Sequence, residues 1–234
     1  MKEINLNNQN LINYKKIPLL KNLSSEEFDK IKKNIIAHEF SKGEVIFRSH
    51  DPADKMFIIL SGEIKVTKIM SDGKEQILYI YGPSDFIGGH NILSGDKYEY
   101  NAFALSKARV LIISSYDVLG VLKYNTGFLL AIIEQSFERI RKAEELIDRL
   151  SVINTDEKVA KLLKTLIGLY GKETDDGILI SYRITQEELG SLAGISRETM
   201  SRKLNQFEEE GILKIVSRGK VLILDEAQLD NILI

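Results

Sequence analysis

Thr185-Gln186-Glu187-Glu188-Leu189-Gly190-Ser191-Leu192-Ala193-Gly194-Ile195-Ser196-Arg197-Glu198-Thr199-Met200-Ser201-Arg202 holds the pattern that decides the fold of the C-terminal third of this 234-residue chain. Thr185 followed three residues later by Glu188 is a capping box, in which a hydroxyl and a carboxylate each satisfy an orphan backbone N–H, so a helix opens there. Gly194 can take the left-handed conformation that stops a helix and turns the chain, and Ile195 is apolar enough to anchor that turn. Ser196 is the natural N-cap of a second helix that reaches Glu210 and is stopped by Gly211. Gly190, Gly194 and Met200 have helix-turn-helix spacing: a small residue where the helices cross, a turn glycine, and an apolar residue in the angle between them.

On the second helix Met200, Leu204 and Phe207 share one face, and Glu198, Ser201, Arg202 and Asn205 share the other. The first is core, and the second is free to enter a DNA groove. Residues 212–216 and 221–224, joined by Ser217-Arg218-Gly219-Lys220, read as a hairpin with two cations at its tip, a wing. The bland alternative is a solvated helix face with ion pairs among Arg197, Glu198 and Arg202. It does not account for a short helix, a turn glycine, a second helix and a basic-tipped hairpin arriving in that order.

Charge supports this reading only locally. From Thr155 onward 11 Lys and Arg stand against 14 Asp and Glu, a balance of −3 within a chain of net charge −2. The acids cluster at 173–176, 208–210 and 225–230, while Arg197, Arg202, Lys203, Arg218 and Lys220 fall on the segments expected against DNA.

Upstream, residues 39–114 read as short β-rich runs at 45–47, 56–60, 64–67, 77–81 and 110–113, bounded by glycines at 43, 62, 73, 82, 88, 89 and 95. Such regular spacing predicts a small antiparallel barrel or sandwich. Ser71-Asp72-Gly73-Lys74 is its clearest hairpin turn. From Tyr116 the pattern becomes helical, and Leu129, Ile133, Ser136, Ile140, Ala143, Ile147 and Leu150 repeat in steps of four and three. That heptad seam predicts a coiled coil between two copies of the chain, the alternative being a helix packed on its own barrel. The expected organisation is α+β, with a sensor domain at 1–115, a dimerisation helix at 116–153 and a winged helix-turn-helix at 154–234.

Absent residue types narrow the chemistry. The chain has no cysteine, so disulfides, cysteine-ligated zinc, cysteine-held iron–sulfur clusters and thiol switches are excluded for the polypeptide alone. No apolar run approaches the length of a membrane span, which predicts a soluble, cytoplasmic protein. The three histidines lack the close spacing of a metalloenzyme site, and His38 and His50 are expected at the surface. Neither a cysteine nucleophile nor a Ser/His/Asp arrangement is present to make an enzyme of a cupin-like barrel. A barrel whose C-terminal domain makes only protein contacts is the other competing class, and the run from Ser196 to Arg202 counts against it.

With these motifs in place, the chain resembles the cyclic-AMP-receptor and FNR family of bacterial regulators over nearly its whole length. The resemblance is carried by Ile184 to Gly190 and Ser196 to Arg202, and in the barrel by Lys42-Gly43-Glu44, Ser61-Gly62-Glu63-Ile64 and Asp85-Phe86-Ile87-Gly88. It implies an N-terminal β-roll sensor, a long dimerising helix and a C-terminal winged helix, acting as a homodimer on palindromic DNA and working with RNA polymerase. The family's Arg-Glu-x-x-x-Arg group falls on Arg197, Glu198 and Arg202, and the Glu-x-x-Ser-Arg group of its FNR branch on Glu198, Ser201 and Arg202. Thr185, Gln186, Ser196, Lys203, Arg218 and Lys220 complete the expected DNA-facing set. Arginine can bridge O6 and N7 of guanine and glutamate can accept from N4 of cytosine, so a G·C pair at the half-site centre is expected. Ser201 points to an FNR-like TTGAT half-site over TGTGA.

The sensor departs from the family's cyclic-AMP pattern. Gly89 stands where a Glu follows Phe-Ile-Gly, Tyr100-Asn101 precede Ala102 where Arg-Ser is usual, and no arginine lies between Arg48 and Arg109. Cyclic AMP is therefore not the expected effector. Iron–sulfur sensing lacks its cysteines. His90 stands where a carbon-monoxide-sensing member keeps a haem histidine, which leaves haem and a gas as one option and a loop histidine bonded to backbone as the plain one. Gly88, Gly89, His90, Tyr98, Tyr100 and Asn101 are the candidate lining for a small organic effector.

Overall fold

The computed structural model describes residues 3–4, 13–71 and 73–233, and Asp72 of the expected hairpin turn lies outside them. The chain divides into two compact units, Met1–Lys68 with Tyr79–Lys142, and Ile69–Leu78 with Ala143–Ile234.

The first unit holds most of a β-roll, of which Ile69–Leu78 belong to the second unit. Its strands are β1 (Glu3–Ile4), β2 (Ile36–Phe40), β3 (Val45–Phe47), β4 (Lys55–Ser61), β5 (Ile64–Ile69), β6 (Glu75–Tyr81), β7 (Phe86–Ile87), β8 (Asn101–Ala104) and β9 (Ala108–Ser114), with short helices α1 (Ser25–Ile31), α2 (Gly89–Ser94) and α3 (Ser115–Gly120). They form two sheets, ordered β1-β2-β9-β4-β7 and β3-β8-β5-β6. β4 pairs antiparallel with β9, Ile58 opposite Leu111 and Ile59 opposite Val110. Met56, Phe57, Ile58 and Ile59 are all buried, because successive side chains of a strand point to opposite faces and both faces of β4 are covered. Phe57 and Ile59 enter the core between the sheets with Phe47, Val66, Tyr98 and Val110. Met56 and Ile58 enter a second core with Leu20, Leu23, Ile31, Leu111, Phe128 and Ile132. Gly62 has φ +82°, and a Cβ there would sit 2.3 Å from the Lys107 carbonyl oxygen, so the Ser61-Gly62-Glu63 turn requires glycine.

Three parts of the roll escaped the strand reading. β2 carries His38 and Glu39 in its middle, and β8 is short, so neither shows a continuous apolar run. α2 spans only six residues between Gly88 and Gly95, both left-handed. His38, expected at the surface, is buried at 6% exposure with its ring edge-on to Phe40, centroids 4.4 Å apart. Its position on β2, paired with Val110 of β9, accounts for this.

α4 (Thr126–Ser151) is the longest helix. The second unit continues with α5 (Thr155–Tyr170), β10 (Gly171–Thr174), β11 (Gly177–Ser181), α6 (Gln186–Ala193), α7 (Arg197–Glu209), β12 (Leu213–Ser217), β13 (Lys220–Ile223) and α8 (Glu226–Ile232). Its sheet runs β10-β11-β13-β12. β10 pairs along its length with β11, and its exposed Lys172, Glu173 and Thr174 give no apolar signal. The same unit includes Glu75 to Ile77: Ser191 Oγ accepts from Ile77 N (2.9 Å) and donates to the Glu75 carbonyl (2.8 Å). Among the described residues no single helix is long and apolar enough to cross a membrane.

Candidate functional site

The reading head is built by local rules. Thr185 Oγ1 accepts from Glu188 N at 3.2 Å, and Glu188 Oε2 accepts from Thr185 N at 2.8 Å, the reciprocal capping that starts α6. Gly194 ends it with φ +68°, its N–H donating to Gly190 and Ser191 carbonyls. A Cβ on Gly190 would lie 2.8 Å from the Ile195 carbonyl oxygen, so the turn can close over α6 only because residue 190 has no side chain. Ser196 Oγ accepts from Thr199 N at 3.1 Å and opens α7. Met200, Leu204 and Phe207 are then at most 2% exposed.

Across α7 from that core, Arg197, Glu198 and Arg202 are exposed and Ser201 is half-buried beside them. Among the described residues none of the three charged groups forms an ion pair, so the solvated-face alternative with internal pairs is not realised. Gln186 is exposed at the start of α6 and Thr185 is half-buried as its cap. Arg218 and Lys220 are exposed at the wing tip, which is pinned to the end of β11 by Tyr182 N donating to the Gly219 carbonyl at 2.9 Å.

Lys203 differs from its expected role. Its ammonium is ion-paired with Asp156 of α5 and donates to Gln206 Oε1 at 2.9 Å, and its side chain is only 17% exposed. The residue lies one position beyond Arg202, which turns it about 100° around the helix, away from the exposed triad.

The sensor candidates separate in the same way. Tyr98 is core: its ring stacks on Phe47 at 3.9 Å, and its hydroxyl, with a pKa pushed up to about 12 by burial, donates to the Lys55 carbonyl at 2.6 Å. Asn101 Oδ1 accepts from Ser49 N at 3.0 Å. Gly88 and Gly89 are buried, and a Cβ on Gly89 would meet Met56 Sδ at 2.8 Å. These four residues shape the roll, whereas His90 and Tyr100 stand in a cluster that sequence order hides.

That cluster centres on Arg139 of α4. Its guanidinium carbon is 5.2 Å from the ring centroids of both Tyr79 and Tyr100, and Lys142 lies 5.4 Å from the ring of Tyr81. Burial alone would depress the Arg139 guanidinium, but the oxygens of Tyr81, Tyr79 and Tyr100 outweigh it and hold its pKa above the ordinary value. His90 Nε2 is 2.9 Å from Ser136 Oγ, and that hydroxyl donates to the Ile132 carbonyl at 2.8 Å. The imidazole is therefore the donor, with its proton on Nε2. Burial, and then the Arg139 charge, hold its pKa down to about 4, so it is neutral at pH 7. Its Nε2 is thus engaged, its ring stacks on Phe86 with centroids 5.2 Å apart, and its charged neighbour is the Arg139 guanidinium. The missing signal was sequence distance, since Arg139 lies 39 residues beyond Tyr100.

The apolar stripe of α4 is also displaced from the expected seam. Ile133, Ile140 and Ile147 are exposed as expected, at 48%, 52% and 67%, together with Leu130 and Phe137, which the heptad assignment missed. Leu129 packs against the second core, Ser136 holds His90, and Ala143 and Leu150 are half-buried. The exposed line runs 130, 133, 137, 140, 147, still in steps of three, four and seven.

Comparison with known proteins bears on the whole chain. The profile of the cyclic nucleotide-binding domain matches residues 37–125, and that of the Crp-like helix-turn-helix domain matches residues 157–232. A "CRP-like cAMP-activated global transcriptional regulator" of Mycobacterium tuberculosis is 26% identical over 82% of this chain and 85% of its own. The "Cyclic AMP receptor protein" of Thermus thermophilus is 27% identical over 92% and 96%. Among solved structures, a putative Crp/Fnr transcriptional regulator from Eubacterium rectale superposes with TM-score 0.74 at 24% identity, covering 95% of this chain and 99% of that one. A β-roll followed by a long helix and a winged helix-turn-helix, matched in that order, places this chain in the Crp/Fnr family of transcription regulators.

Proposed function

We propose that the chain is a cytoplasmic homodimer that binds a palindromic DNA operator, reads its bases with Arg197, Glu198, Ser201 and Arg202, and acts on RNA polymerase under control of an effector held in the β-roll. The observation that carries the reading is Arg197, Glu198 and Arg202, exposed opposite the buried face of α7 and without an ion pair among the described residues. A charged trio kept free of internal ion pairs on a rigid helix is what base-edge recognition needs, because no existing bond has to break first. Gln186, Thr185 and Ser196 stand at helix starts, where backbone N–H groups favour phosphate, and Arg218 and Lys220 extend the contact along the backbone. The dimer rests on the stripe Leu130, Ile133, Phe137, Ile140 and Ile147, large apolar groups left in water on a single chain.

The test is a gel shift with palindromic probes carrying TTGAT or TGTGA half-sites against scrambled competitor. Preference for the TTGAT probe supports the reading, and equal binding to all three overturns it. A haem-dependent gas sensor is the second reading, favoured only by the neutral imidazole of His90. A Soret band in protein purified from cells supplied with haem would install it.

A further inference from the structure

We infer that the effector is a small organic anion, a carboxylate or phosphate of up to two charges, gripped by the N–H edge of Arg139 between Tyr79 and Tyr100. The inference deepens the proposed regulatory reading and rests on it for the consequence at DNA, though not for the binding itself.

Four observations converge on the site. Arg139 is half-buried, and among the described residues no carboxylate pairs with it; the groups that meet it are the phenols of Tyr79, Tyr81 and Tyr100. Among the described residues neutral phenols, and no full negative charge, stabilise this cation, so an incoming oxyanion adds a charge-assisted bond that they do not supply. The two rings lie 5.2 Å from the cation, and its five N–H donors outnumber the bond that the Tyr79 hydroxyl takes, which leaves donors for a ligand. Lys142, 5.4 Å from the Tyr81 ring and likewise without an ion pair among the described residues, supplies a second positive charge, hence the preference for a dianion. His90 adds no charge at pH 7 and offers only a neutral ring, held by Ser136. Asp85, whose charge acts on Tyr81, accepts from Gly82 N at 2.9 Å and from Gln135 Nε2 at 3.3 Å and forms no ion pair with Arg139 among the described residues. Arg139 thus supplies from the helix a phosphate- or carboxylate-binding group that the roll itself lacks.

The chain has nine tyrosines and no tryptophan, so ultraviolet emission reports on tyrosine, and three of the nine line this site. Inorganic phosphate, succinate, benzoate and a sugar phosphate would be titrated at constant ionic strength, following tyrosine fluorescence and thermal unfolding. The expected result is a saturable change and a raised Tm with at least one of these anions. Response to succinate or benzoate alone assigns a carboxylate, and response to the two phosphates alone assigns a phosphate. Arg139→Gln should abolish the change. Arg139→Lys, which keeps charge and packing but loses the fork, should weaken it at least about tenfold. No response from any anion, or an undiminished response in folded Arg139→Gln or Arg139→Lys, overturns the site. Anion binding that leaves operator affinity in the gel shift unchanged overturns the effector role. Loss of operator binding with and without anion, by contrast, strikes the DNA-reading proposal and leaves anion binding by fluorescence as it was.

Discussion

Truncating Arg202 to alanine separates reading from folding. The side chain is exposed, makes no ion pair among the described residues, and lies across the helix from Met200, Leu204 and Phe207. Its removal opens no cavity, so the folding free energy should move by no more than about 0.5 kcal/mol, the usual range for such a surface change. At the operator the loss is larger: a bidentate arginine–guanine contact discriminates against the wrong base by about 1–3 kcal/mol. A symmetric dimer loses it in both half-sites, about 2–6 kcal/mol in all, or roughly thirtyfold to twenty-thousandfold in the specific-to-nonspecific ratio. Weak binding to any duplex should survive, because Arg218 and Lys220 remain exposed at the wing. Fluorescence anisotropy would compare the operator with a probe whose central G·C pair is replaced by A·T, at several salt concentrations. Glu198→Ala should relax preference at the paired cytosine in the same way. If Arg202→Ala still discriminates between the two probes as the unsubstituted protein does, α7 is not the reading helix.

Lys220→Ala should weaken binding to every sequence alike and reduce the salt slope by about one for each phosphate left without its cation, whereas Lys203→Met, which breaks the pair with Asp156, should lower Tm while leaving that slope intact. Phe137→Asp, placing charge on the exposed stripe of α4, should give a monomer in sedimentation, and a persistent dimer would assign the interface elsewhere. Gly194→Ala should destabilise by at least about 1–2 kcal/mol in denaturant titration, since φ is +68° and its Cβ would lie 2.4 Å from Leu150 Cδ2. His90 has a folded pKa of about 4 against 6.5 for the free side chain, so the unfolded chain binds its proton first; stability should fall as pH drops from about 6.5 to 4, and His90→Gln should flatten that stretch.

What the sequence disclosed depended on how local the determinant was. The capping box at Thr185, the turn at Gly194 and the cap at Ser196 each involve atoms within four residues of one another, and each appears in the structure as read. The strands legible from sequence were those with an apolar run, such as β4, while β2 and β10 were hidden because their polar residues break the alternation and only their partners show that they are strands. The ion pair of Lys203 was hidden for a related reason. Proximity in sequence to Arg202 says nothing of Asp156, 47 residues earlier, which claims its charge.

α4 shows most clearly where pattern reading stops. A period near 3.5 residues identifies a helix with an apolar stripe, but a helix can carry several stripes at once, each fixed by a different neighbour. Phe128 and Ile132 are drawn into the core of the roll, Leu130, Ile133, Phe137, Ile140 and Ile147 face water, and Ser136 and Arg139 meet His90 and the tyrosines. Ser136 and Arg139 are one turn apart, so they share a face, and that face adjoins the exposed stripe through Ile140. A small residue such as Ser136 fits a coiled-coil seam and a hydrogen-bonded sensor contact equally well by size; only its bonds to His90 and to the Ile132 carbonyl decide between them. The consequence is mechanical. In the proposed dimer, a ligand bound at Arg139 would act on the same two turns of helix that carry Phe137 and Ile140, so effector binding and the packing of two copies are expected to bias each other reciprocally. Measuring dimer dissociation with and without a bound anion would test that coupling: equal dissociation constants would mean that the two faces of α4 work independently.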